Sequence, residues 1–179
     1  MRSMKMVHLV LAGWLVAATL ASACSQAQGA QASARLQKEV RHVLVTLPFY
    51  SVFDNLAYKV DGDRVTLLGQ VVRPTLKSDA ATAVKSIEGV SAVDNEIEVL
   101  PVSPSDDRTR RAEFRAIYSA PGMEKYSIQA VPPIHIIVKN GHVTLVGVVA
   151  SEADKILANV RAQSVPGVFS VTNQLTAEK

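Results

Sequence analysis

"VPGVFSVTN", Val165 to Asn173, repeats nearly everything that "IEGVSAVDN", Ile87 to Asn95, has already said. Gly89 and Gly167 stand 78 positions apart, and the same offset carries Val90 to Val168, Val93 to Val171 and Asn95 to Asn173. A phrase written twice at one spacing marks a duplicated module. Each copy reads as a glycine that stops a helix, since glycine tolerates the left-handed geometry of a helix end, followed by the start of a strand.

Upstream of each phrase the two copies align without a gap. "YKVDGDRVTLLGQVV" (Tyr58 to Val72) lies over "IIVKNGHVTLVGVVA" (Ile136 to Ala150). Both predict β-hairpins: Asn140-Gly141 suits a tight turn needing positive φ at two successive residues, and Gly62-Asp63 holds the same places in the first copy. Asp61 and Arg64 then face each other across the turn. Strict alternation puts Val65, Leu67, Gly69 and Val71 on one face with Leu56, Tyr58 and Val60. In the second copy Val143, Leu145, Gly147 and Val149 share a face with Ile134, Ile136 and Val138. Those faces are the expected cores. Gly69 and Gly147 on them suggest a closely approaching helix or a bulge.

A helix is predicted after each hairpin, with Ala80, Val84 and Ile87 on one stripe and Ala158, Ala162 and Val165 on the other. Ser151 and Asp154 resemble a capping box. A helix also precedes each hairpin: Leu36, Val40, Val43, Leu44 and Leu47 form an amphipathic pattern, and "SPSDDRTRRAEFRAIYSAPG" is its counterpart. The fold class is therefore α+β. Two tandem modules each run helix-strand-strand-helix-strand, with a small three-stranded sheet and two helices, the strand order being open. Modules this small bury little apolar surface alone, so the two are expected to pack together.

The chain opens with the parts of an export signal: Arg2 and Lys5, the apolar run Leu9 to Ala21, then small residues. Without Arg2 and Lys5, 17 basic residues stand against 16 acidic ones. That near-balance argues against general nucleic-acid binding. "LASAC" resembles a bacterial lipobox, in which the signal is cut before a lipid-bearing cysteine, although Ala21 stands where leucine is usual. Ala21-Ser22-Ala23 equally satisfies ordinary cleavage. Cys24 is the only cysteine, so no internal disulfide can use it. The organisation expected is signal peptide 1–23, flexible tether 24–33, first module 34–101 and second module 102–179. The location is the periplasm, with a lipid on Cys24 anchoring the chain to the outer membrane, or else a soluble periplasmic or secreted protein.

The repeated turn glycine, V-T-L-x-G-x-V and G-V-x-x-V-x-N resemble the BON domain, a bacterial envelope module, over nearly all of the chain from about Arg35. Two copies behind a lipobox-like cysteine look like the dual-BON lipoproteins of the Gram-negative envelope. The resemblance implies binding to phospholipid membranes or envelope proteins and no catalysis, and it carries over no functional residues. The chain departs from the pattern at "QAVPPIHI", where Pro132-Pro133 leaves the start of the strand open.

Chemistry is sparse. His42, His135 and His142 read as surface histidines rather than metal ligands, having no acidic or cysteine partner at ligand spacing. No nucleophile elbow, phosphate loop or zinc spacing occurs. Neither enzyme, cofactor, metal nor small-molecule substrate is expected. One feature stands out: Arg108, Arg111 and Arg115 make a basic stripe on the second module's first helix, where the first copy has Ala34, Gln37 and Arg41. With Tyr118 at the headgroup boundary, the stripe suggests binding to an anionic phospholipid membrane. The competing readings are a solvated face, with Phe114, Ile117 and Tyr118 as core, and a lipid-tethered scaffold for other envelope proteins. Ile156, Leu157 and Val160 replace polar Ser78, Asp79 and Thr82 of the first copy, so Ile156 and Val160 are expected to be substantially buried, against the first module's surface or against the linker.

Overall fold

The structure is a computed structural model that describes residues 31–129 and 131–178. The export signal, Cys24 and the tether up to residue 30 lie outside the described residues. Residues 31–33, expected to be tether, already belong to helix α1, which runs to residue 45. The first module continues with β1 (Asn55–Asp61), β2 (Arg64–Val71), α2 (Pro74–Lys85), β3 (Ala92–Asn95) and β4 (Glu98–Val99). The second comprises α3 (Pro104–Tyr118), a 3-10 turn at Glu124–Tyr126, β5 (Ile134–Lys139), β6 (His142–Val149), α4 (Glu152–Gln163) and β7 (Ser170–Ala177).

The strand order left open by the sequence is the same in both modules. The hairpin strand that leads into the helix is central. β2 pairs antiparallel with β1 and parallel with β3 and β4. β6 pairs likewise with β5 and β7. Parallel pairing requires a crossover, and α2 and α4 supply it. In the first module the last strand is interrupted at Glu96-Ile97, so β3 and β4 are two pieces of one edge.

The expected faces form the cores. Val65, Leu67, Val71, Ala80 and Val84 are fully buried with Val40 in one cluster. Ile134, Ile136, Val138, Leu145, Ala158 and Ala162 are fully buried in the other. Leu56, Tyr58 and Val60 are only partly buried on the first hairpin. The core glycines have a different neighbour from the expected helix. A Cβ on Gly69 would meet the Asn55 carbonyl oxygen at 2.0 Å, and one on Gly147 would meet the Pro133 carbonyl oxygen at 1.9 Å. The close approach is by the hairpin partner's own backbone.

The repeated phrase also resolves differently. The helices end at Lys85 and Gln163, ahead of the glycines. Gly89 and Gly167, at φ 94° and 87°, occupy the third place of tight turns closed by Val90 N–H to Ile87 O and Val168 N–H to Val165 O. That place in such a turn requires positive φ. The repeated asparagines have a common task as well. Asn95 donates to the Lys77 carbonyl and accepts from Ile97 N–H, and Asn173 does the same with Lys155 and Leu175. Each one ties the last strand to the crossing helix.

The modules do pack together, but through other residues. Ile156 and Val160 are 61% and 54% exposed, which overturns their expected burial. The joint is the loop before β1. Val52 is buried in the second module's core, and its carbonyl accepts the Ile136 N–H at 2.7 Å. Phe53 meets Phe114 edge-on, and Tyr50 faces His135. Lys139 pairs with Glu98 across the modules. His135 is therefore half-buried rather than on the surface, and burial lowers its pKa below the usual imidazole range.

Candidate anion-binding surface

Helix α3 begins where Ser103 accepts the Asp106 N–H, with Pro104 in the first turn. Its inner side carries polar groups as well as apolar ones. Asp106 is buried and accepts the N–H groups of Asn140 and Gly141 at 2.8 and 2.9 Å, fastening the helix to the hairpin turn. Arg110 is 3% exposed. It pairs with Asp107 and donates to the Val138 carbonyl. Glu113 is fully buried, neither carboxyl oxygen is hydrogen-bonded, and burial pushes its pKa up to about 8.

The outer side is the basic stripe. Arg108, Arg111 and Arg115, placed on one face by their i, i+3, i+7 spacing, are all exposed. None of them forms an ion pair among the described residues. Tyr118 does not join them. It is 5% exposed, stacks on Phe114 at 4.8 Å and donates its hydroxyl to the Ile134 carbonyl at 2.6 Å. An internal acceptor and the Phe114 ring hold it in the core, so the headgroup-boundary role does not fit its placement. The sequence did not single out Arg110 or Glu113. Neighbouring charges on one helix give no sign, from spacing alone, of which side faces a sheet.

His42 and His142 are exposed, and His142 Nδ1 lies 2.7 Å from Ser170 Oγ. Among the described residues no cluster of three metal-ligating side chains occurs, nor any helix long and apolar enough to cross a membrane.

Two fused α+β modules of one strand order define a class: a protein built from a duplicated small domain. The chain belongs to the BON domain family, whose model matches residues 32–101 and 123–179. The family is non-catalytic, and its members are envelope-associated proteins that bind membranes and phospholipids. Helix α3 lies between the two matched segments. No curated protein matches the sequence. Two solved structures are similar at 14% identity, both of CdsD, a structural protein of the type III secretion system of Chlamydia trachomatis. Its C-terminal domain has a TM-score of 0.32 over 79% of this chain and 96% of that one. The second structure has a TM-score of 0.30 over 81% and 94%.

Proposed function

We propose that this protein is an envelope lipoprotein, anchored through a lipid on Cys24, whose second BON domain binds anionic phospholipid membrane. The observation carrying this reading is the exposed stripe of Arg108, Arg111 and Arg115, three cations with no carboxylate partner among the described residues. Each is worth about 1 kcal/mol at an anionic surface. Together they give about a hundredfold in partitioning. With the anchor already holding the chain at a membrane, the stripe orients the second module.

The test is co-sedimentation with vesicles of protein beginning at Ser25, which keeps both modules whole and has no lipid. Replacing the three arginines with serine should weaken binding to phosphatidylglycerol-containing vesicles about a hundredfold. Added salt should weaken the wild type in the same direction through screening. Binding indifferent to the triple substitution, to salt and to lipid charge would favour the second reading, a lipid-tethered scaffold for envelope proteins. The exposed Ile156 and Val160 speak for that alternative.

A further inference from the structure

The loop before β1, the start of α2 and the outer edge of α3 enclose a cleft of about 410 Å³ at the module junction, lined in part by Phe49, Phe53, Arg73, Arg110 and Arg111. Its acidic groups are already engaged. The Asp54 carboxylate accepts from Ser51 N–H, Ser51 Oγ–H and Val72 N–H, and Asp107 pairs with Arg110. Arg73 and Arg111 are exposed and, among the described residues, have no carboxylate partner. The cleft thus carries two cations free to meet an anion, one from each module.

Phe49 adds a second, independent feature. Leu47-Pro48-Phe49-Tyr50 is a tight turn closed by Tyr50 N–H to Leu47 O, with Phe49 at φ 66°. The same turn closes at Ala120 to Met123, Ile87 to Val90 and Val165 to Val168. In those three the third residue is glycine, with φ between 86° and 94°. A bulky side chain in this conformation is strained, and strain of this kind gathers at functional sites. The Phe49 ring is not packed into a core to compensate. It is 68% exposed and lies 4.8 Å from the Arg73 guanidinium carbon. This turn keeps an aromatic where its three counterparts use glycine, and holds it beside an arginine with no carboxylate partner among the described residues.

We infer that this junction cleft is a seat for a phosphate ester carried on an apolar body. Arg73 and Arg111 take the phosphate, since guanidinium forks suit phosphate oxygens, and Phe49 takes the adjoining apolar part. The inference rests on the proposal that the second module binds phospholipid. It goes further in recruiting first-module residues, so that the headgroup is read only where the two modules meet.

The experiment uses protein beginning at Ser25 with vesicles of phosphatidylcholine alone or mixed with phosphatidylglycerol. Arg73→Ser should lower partitioning to the mixed vesicles about fivefold, the share of one arginine at an anionic surface. Phe49→Gly should lower it by a similar factor while melting no lower than wild type, because glycine suits the turn. In parallel, glycerol phosphate is titrated against the amide spectrum. Signals of Phe49 and Arg73 that move, and cease to move in Arg73→Ser, identify a soluble ester as ligand. Vesicle losses without such movement identify the lipid headgroup. Wild-type partitioning by Arg73→Ser or Phe49→Gly overturns the cleft. If Arg108→Ser with Arg115→Ser still loses binding in that case, the helix-stripe reading stands alone. If only the cleft variants lose binding, the cleft stands and the wider stripe fails.

Discussion

Glu113 offers the sharpest physical test of the second module. Its carboxyl is fully buried on the inner side of α3 with neither oxygen hydrogen-bonded, and burial lifts its pKa from 4.5 to about 8. A carboxyl in that position stays protonated, because an unpaired buried charge is far costlier than a neutral acid. The native state therefore keeps the proton to about pH 8, whereas the unfolded chain releases it near pH 4.5. Stability must then fall as pH rises between those values, since the folded state binds more protons there. At about 1.4 kcal/mol per unit, and less close to each pKa, the loss from about pH 5 to about pH 8 is about 3–4 kcal/mol. Glu113→Gln keeps the shape and removes the titration. Urea unfolding of wild type and variant at both pH values isolates the effect, because every other titrating group is common to both. The variant should gain about 3–4 kcal/mol relative to wild type on moving to the higher pH. Parallel pH profiles for the two proteins would refute a buried, unpaired acid at this position.

The packing sets the outcome of three further substitutions. Gly147→Ala should cost about 3 kcal/mol or more by thermal or chemical unfolding, since its Cβ would fall 1.9 Å from the Pro133 carbonyl oxygen at φ 139°. Gly62→Ala, with nothing within 4 Å of the new carbon, should cost only about 1–2 kcal/mol. Val52→Asp places a charge in the second module's core and should uncouple the modules, giving two unfolding transitions in place of one. A single, unshifted transition in that variant would show that the loop does not join them.

The duplication was legible because local rules write it. Alternation of apolar residues around Asn140-Gly141 and Gly62-Asp63 needs nothing beyond the chain's immediate neighbourhood, and the hairpin registers agree with it. The basic stripe was legible for the same reason: helical spacing places Arg108, Arg111 and Arg115 together wherever the helix lies. Tyr118 was harder. Its fate depends on the Ile134 carbonyl and the Phe114 ring, and the aligned apolar positions of the first copy had already offered the core as its alternative.

By itself the sequence determined the two modules, their element order, their core faces and the cationic side of α3, all consequences of periodicity along a short stretch of backbone. The tertiary structure alone decided which segment joins them. Val52 and Phe53, rather than the exposed Ile156 and Val160, fill the second module's open side, because burial depends on which surfaces meet and not on how apolar each one is. It alone also set Phe49 in a glycine's conformation beside Arg73, and Arg73 in one cleft with Arg111. Those residues lie far apart along the chain, and only the folded joint between the modules brings their charges and the ring to one place.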